Sequence, residues 1–271
     1  MRIPSALLLS AKSDGETQLL SGQSDRRRAV QLVGRAFAGT ETAEPELTFH
    51  WLVGPHLTAF GPLRSDLGAF IFSIVGAARL PGCSVLASRA ANGDLAATAL
   101  VRKLNRAPKE ETLLDKLREM AHLLSTMVRG RLPAYYAAKE HKSLRKRADK
   151  GIDRRLEVLG RVMAEAHRKH ANEPHIYLYL LATDPTHQFH GHGARLVRAT
   201  DRIADAAGLP SYLEASGDRN RAIYEHLGFK VVGTYTLADK PPPGNPDEGW
   251  PPFERFYAMV RPPSVGVRVS P

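Results

Sequence analysis

The stretch from His175 to Leu196, HIYLYLLATDPTHQFHGHGARL, constrains the fold of this chain more than any other. Its first nine residues are apolar on both alternating faces, which suits a central strand covered on two sides and not an edge strand. Gly191 and Gly193 then open a helical stretch reaching about Ala207, and PSYLEAS, residues 210 to 216, reads as a second strand. Strand, helix and strand in this order form a β-α-β unit with parallel strands and a right-handed connection.

The elements around that unit are shorter and more mixed. Thr17 to Leu20 reads as a short strand, and Ser24 or Asp25 caps a helix whose apolar positions Ala29, Val30, Val33, Ala36 and Phe37 recur at helical spacing. Residues 46 to 79 read as one or two helices broken at Gly54-Pro55 and Gly61-Pro62. Ser84 to Arg89 and Leu95 to Leu104 are strand-like runs joined across Asn92-Gly93, a hairpin-turn pair because both residues tolerate positive φ. Glu110 to Arg129 and Ile152 to His170 carry helical apolar stripes, with a basic, helix-prone stretch between them from Pro133 to Lys150. After the β-α-β unit come a short helix, Arg219 to Leu227, closed at Gly228, and two strands, Phe229 to Leu237 and Phe253 to Arg261. The expectation is one domain over residues 16 to 261, with a helical, basic excursion at about 105 to 172. Residues 1 to 15 read as a loose arm and 262 to 271 as a disordered tail.

Composition removes several classes of function. Cys83 is the single cysteine, so neither an internal disulfide nor a cysteine-rich zinc site is available, and a reducing, cytoplasmic setting is expected. The longest apolar run, Gly68 to Ala78, falls well short of the ~18 residues that cross a bilayer. A net charge of +10 favours anionic partners, and much of it sits in Arg26-Arg27-Arg28 and in Lys142 to Arg155. No aromatic residues interleave with those basic runs, so nucleic acid is not the expected ligand.

Three readings compete for the histidine-rich segment. Neutral imidazoles of His187, His190 and His192 suit zinc or copper, but three on one turn with only Asp184 nearby do not obviously converge. The same residues can be a glycine turn with incidental histidines. Alternatively, the helix opening near Gly191 offers unpaired backbone N–H groups and the positive end of the helix dipole to a phosphate, with the glycines allowing close approach.

Taken together, LLATDPTHQFHGHGARL, PSYLEASGDRNRAIYEHLGFKVV and the late FYAMVR resemble the GCN5-related N-acetyltransferase (GNAT) superfamily and, within it, small-molecule enzymes similar to puromycin N-acetyltransferase. Gln188, Gly191 and Gly193 fall in register with the superfamily's Gln/Arg-x-x-Gly-x-Gly/Ala signature. Glu214, Ser216, Asn220, Tyr224, Gly228 and Phe229 match its closing pattern. The resemblance covers residues 170 to 261. It implies an α/β (α+β) fold, with a mixed, mostly antiparallel central sheet flanked by helices and a C-terminal β-α-β unit that binds acetyl-CoA. It also implies acetyl-CoA as co-substrate and no metal. The backbone of Leu181, Ala182 and Thr183 would pair with the pantetheine arm. The amides of Gln188, Phe189, His190, Gly191, His192, Gly193 and Ala194 would hold the pyrophosphate, and Asn220 would touch the cofactor near its pantetheine end. Thr183, Phe189, His190 and His192 depart from the residues usual at their positions in that superfamily, and His192 stands where an aliphatic side chain normally enters the core.

The acceptor implied is a small-molecule amine, attacked directly in a ternary complex. By resemblance Tyr224 is the general acid for the departing thiolate, and Glu214 can accept the amine's proton directly or through water. His175, Tyr177 and Tyr179 are further strand residues expected near the acceptor cleft. A protein or peptide amine as acceptor, or a non-catalytic acetyl-CoA-binding sensor or interaction module, are the alternatives.

Overall fold

A computed structural model describes residues 3–12, 16–20, 23–39, 45–53, 83–105, 142–238 and 253–264. Within them lie helices α1 (Ser5–Ala11), α2 (Gln23–Ala38), α3 (Leu47–Val53), α4 (Lys142–His170), α5 (His192–Ala206) and α6 (Gly217–His226). The strands are β1 (Thr17–Leu19), β2 (Ser84–Arg89), β3 (Leu95–Leu104), β4 (His175–Thr183), β5 (Ser211–Ser216), β6 (Lys230–Leu237) and β7 (Phe253–Arg261). They form one sheet in the order β1-β2-β3-β4-β5-β7-β6, in which β4 and β5 are the parallel pair and every other pairing is antiparallel. The mixed, mostly antiparallel sheet and the central place of β4 agree with the sequence reading. The insertion of β7 between β5 and β6 does not follow from chain order.

Both faces of β4 are covered, which accounts for its continuous apolar run. On one face Ile176, Leu178, Leu213, Ala215 and Met259 pack with Leu196, Val197, Ala199 and Ile203 of α5. On the other, Tyr177, Tyr212 and Ala258 meet Ala166 of α4, while Leu180 and Ala182 meet Leu32 and Val33 of α2. A bulge shifts the alternation along the strand: β3 pairs Leu100 with Leu180 and Val101 with Leu178, so Tyr179 is the extra residue on β4. Beyond it, Leu181 turns to the α5 side and Ala182 to the α2 side.

Three expectations change. The arm read over residues 1 to 15 is folded where described: α1 packs Leu7 and Leu8 into the α5-side core, Ala11 is buried, and Arg202 donates to the Ser10 and Ala11 carbonyls at 3.1 and 2.8 Å. Its apolar run is therefore a docking face, long enough for two helical turns. The helix expected from Ile152 begins at Lys142 and takes up the end of the basic stretch. The tail is held at least to Ser264, whose N–H donates to Asp205 Oδ1 at 2.8 Å. The helices expected at 54 to 79 and at 110 to 129, the stretch from 133 to 141 and the last seven residues lie outside the described residues.

Candidate functional site

The β4–β5 pair is joined only near its start. Ile176 faces Ser211 and Tyr177 faces Tyr212, and no pairing follows, although β4 continues along β3 to Thr183 and β5 continues along β7 to Ser216. The strands thus diverge toward their carboxyl ends and leave a wedge. One of its walls is the free edge of β4 from Leu178 to Thr183, with main-chain donors and acceptors that β5 does not take. Carboxyl ends of strands that part in this way are where ligands enter open sheets.

The rim of the wedge is the loop from β4 to α5, and it is held firmly. Asp184 accepts from Arg35 Nε and Nη2 at 3.0 and 2.6 Å, and from Thr186 N and Oγ1 at 3.1 and 2.7 Å. Burial pushes the Asp184 carboxyl up, but these hydrogen bonds outweigh it and hold the group below its ordinary value. A 3-10 turn, Pro185–His187, follows, and Gly191 then enters α5 at φ 78°, a left-handed conformation that glycine takes without penalty. Gly193 has a different task. A Cβ there would lie 3.0 Å from Thr183 Oγ1 and 3.8 Å from Leu181 Cδ2, so its missing side chain lets the first turn of α5 sit against the end of β4.

The histidines take different partners in the structure, although the His187 and His192 rings still meet edge-on with centroids 6.2 Å apart. His192 is buried and reaches away from the rim to Ser88 Oγ at 2.9 Å. Arg195 Nη1 donates both to Ser88 Oγ at 2.9 Å and to His192 Nδ1 at 3.2 Å, which fixes Nδ1 as the acceptor and leaves the proton on Nε2. Burial, then the Arg195 charge, hold His192 below its ordinary value. The aliphatic position has thus become a neutral, hydrogen-bonded imidazole. His190 is exposed and donates to the Gln188 carbonyl at 2.7 Å. Among the described residues no group of three His, Cys, Asp or Glu side chains is placed to hold a metal ion.

Phe189 is the outlier of the loop. It is 89% exposed and holds φ at 66°, and the Arg219 guanidinium lies 5.3 Å from its ring centroid. The left-handed region costs a non-glycine residue about 1–2 kcal/mol. An exposed cation–π contact gives back about 0.5–1 kcal/mol. Arg219 therefore does not account for the conformation by itself, and such departures concentrate where ligands bind.

Across the wedge, β5 ends in Glu214, Ala215 and Ser216, and α6 begins at Gly217, where a Cβ would run into the Leu47 side chain of α3. Glu214 and Ser216 share the face of Tyr212, toward α4, whereas Tyr224 of α6 packs on the α5 side with its ring 5.9 Å from Phe229 in an edge-on contact. Tyr177 donates to Glu214 Oε2 at 2.7 Å. Burial first, then Glu214, drive the Tyr177 phenol well above its ordinary value, and burial followed by Glu46 does the same for Tyr224. Asn220 Nδ2 reaches Ser216 Oγ at 3.4 Å.

Glu46 was not legible as a site residue. One of its carboxylate oxygens meets Ser216 Oγ, and the other accepts the Phe49 N–H at 2.9 Å at the start of α3. Nothing in the sequence placed Glu46 beside β5. His175, expected near the cleft, sits instead at the opposite end of β4. Its Nδ1 donates to the Glu173 carbonyl at 2.7 Å, and its Nε2 accepts from His167 at 2.8 Å. Tyr179 occupies the bulge. On the α4 side there is also an open groove of about 550 Å³, lined by Arg154, Glu157, Arg161 and Thr236. Cys83 is buried among Leu32, Val33 and Leu100, a packing position.

Residues 119–229 match the model of the acetyltransferase (GNAT) family. An uncharacterized N-acetyltransferase of Schizosaccharomyces pombe is 42% identical over 53 residues, 20% of this chain and 22% of that protein, so the match spans about a fifth of the relative's length. Among solved structures, a histone acetyltransferase HPA2-related protein of Corynebacterium glutamicum superposes with a TM-score of 0.50 at 21% identity, over 93% of this chain and 99% of that one, a likeness of fold. The matched segment runs from before β4 through the wedge to Phe229, so this part of the chain is similar to the acetyltransferase (GNAT) family, and the solved structure is similar to it in fold.

Proposed function

We propose that this protein transfers an acetyl group from acetyl-CoA, the co-substrate of the acetyltransferase (GNAT) family its matched segment resembles, to the amine of a small molecule by direct attack in a ternary complex. The observation that carries the reading is the wedge after Tyr177 and Tyr212, with the amino end of α5 at its rim. Its two parts suit the two parts of the ligand. The free β4 edge at Leu181, Ala182 and Thr183 offers main-chain groups to the amides of a pantetheine arm. The amides from Gln188 to Ala194, at the positive end of the α5 dipole, suit a pyrophosphate. Asn220, across the wedge, is within reach of the arm.

Acetyl-CoA, when bound, supplies the acetyl thioester. The chain's part is to hold the amine against the acyl carbon and to manage two protons. Glu214 accepts the proton that the amine gives up, directly or through water. Tyr224, whose phenol is kept protonated by burial and by Glu46, donates to the sulfur as the carbon–sulfur bond breaks. Tyr177, bonded to Glu214, fixes the orientation of that carboxylate and is a positioning residue.

Isothermal titration with acetyl-CoA, followed by an amine screen read by thiol release, tests the reading. Binding and turnover with at least one small amine are expected. A folded sample that binds no acetyl-CoA contradicts it, and turnover confined to peptide amines replaces the small-molecule acceptor.

A further inference from the structure

We infer that Arg219 and Phe189 form a nucleotide clamp at the outer end of the wedge. On this assignment Arg219 reads the 3′-phosphate of the adenosine moiety, and Phe189 offers its ring to the purine. The inference rests on the acetyl-CoA reading above and adds two side chains to a site otherwise built from backbone.

The two residues come from opposite sides of the opening. Phe189 projects from the loop between β4 and α5, next to the amides that suit a pyrophosphate, and Arg219 stands in the first turn of α6, just after β5 ends. Their contact, guanidinium over ring at 5.3 Å, therefore spans the mouth of the wedge. Phe189, at 89% exposure, is the one aromatic residue among the large exposed hydrophobic residues described, and one guanidinium leaves most of that ring open. A flat apolar ring beside a planar cation matches the chemistry of a purine nucleotide, which has a π-face to stack and a phosphate for bidentate hydrogen bonds.

The charge of Arg219 is available for such a ligand. Among the described residues no carboxylate pairs with it, whereas its neighbour Asp218 is already engaged by Arg221, Arg255 and the Tyr257 hydroxyl. Position supports the same assignment. A coenzyme whose thioester end lies deep between β4 and β5 and whose pyrophosphate lies at Gln188 to Ala194 must send its adenosine outward past Phe189.

The test compares acetyl-CoA, 3′-dephospho-acetyl-CoA and adenosine 3′,5′-bisphosphate by titration on the wild-type protein, Arg219→Met and Phe189→Ala. Both side chains are exposed, and circular dichroism with thermal melting confirms that each variant is folded. The wild-type protein is expected to bind acetyl-CoA about tenfold or more tightly than its 3′-dephospho form, in keeping with a charge-assisted contact. Arg219→Met should lose that preference while binding the dephospho form as before. Phe189→Ala should weaken all three ligands together and keep the preference. If wild-type protein binds acetyl-CoA but Arg219→Met retains the preference, the clamp is overturned and the acetyl-CoA reading stands. If wild-type protein binds none of the three, both fall.

Discussion

Replacing Tyr224 by Phe separates chemistry from structure at one atom. The ring is half-buried and packs edge-on against Phe229, and Phe keeps that contact, so the change removes an oxygen and its proton and little else. A shift in melting temperature of no more than about 2–3 °C is expected, since no buried apolar volume is lost. Binding of acetyl-CoA, assigned to backbone groups and Asn220, should be unchanged. The catalytic cost follows from the proposed role. A positioned general acid contributes about 10²–10⁴ in rate, and a thiolate needs its proton less than an alkoxide does, so the lower end applies. A hundredfold fall in kcat corresponds to about 2.7 kcal/mol of transition-state stabilisation. Because burial and Glu46 both raise the wild-type phenol, the wild-type rate should also show no loss from Tyr224 ionisation as pH rises toward about 10, the ordinary value. The assay is thiol release under saturating acetyl-CoA and amine, with titration calorimetry for binding. A variant with kcat within threefold of wild type would remove Tyr224 from the chemistry, and a parallel loss of cofactor binding would make it structural.

Three further outcomes are expected. Glu214→Gln keeps an acceptor for the Tyr177 hydroxyl but is a poor base, so kcat should fall by about 10²-fold or more with the melting temperature nearly unchanged; retention of the wild-type rate and pH profile would assign the base elsewhere. Gly193→Val adds methyl groups where a Cβ already lies 3.0 Å from Thr183 Oγ1, and overpacking of about 1–3 kcal/mol should lower the melting temperature by several degrees and weaken acetyl-CoA; an unchanged melt would refute the close α5–β4 packing. Acidification from about pH 7 to about pH 6 should lower the urea midpoint. Burial holds His175 and His192 below the ordinary 6.5, so the unfolded chain binds more protons than the native one in this window and stability falls as pH falls. Asp201, raised by burial to about 6, gains protons in the native state within the same window and offsets part of this loss, its opposing effect growing below about pH 6; a midpoint that rises from about pH 7 to about pH 6 would contradict the neutral histidines.

What the sequence disclosed depended on range. The β-α-β unit was legible because its signals are local: a doubly apolar strand, two glycines at a helix opening, and a second strand within forty residues. The hairpin at Asn92-Gly93 was legible for the same reason, and Gly93 does hold φ at 86°. The insertion of β7 beside β5 was not, since strand order is decided by pairings such as Glu214 with Ala258 that leave no mark on either segment. Nor was the bulge at Tyr179, which alters no residue type yet inverts the alternation after it, so that Leu181 takes the α5 side and Ala182 the α2 side. At the site, glycine positions were readable because backbone conformation and close packing restrict residue choice. Glu46 and Arg219 were not, since an acidic residue ahead of a helix and a basic one within it are ordinary surface choices until the fold brings them to Ser216 and Phe189. Of the three histidines, His192 is a buried group bonded to Ser88, which their spacing in the sequence did not announce.

The most direct test of the central claim is acetyl-CoA-dependent turnover by the purified chain over a panel of small amines and peptides, followed by thiol release with mass spectrometry of the acceptor. The wedge, the α5 rim and the pair Glu214 and Tyr224 together predict acetylation of at least one small amine, saturable in both substrates, without an acetylated enzyme intermediate. A folded protein that binds acetyl-CoA yet acetylates no amine in the panel, or that does so through an acetyl group first trapped on its own side chain, would contradict the account.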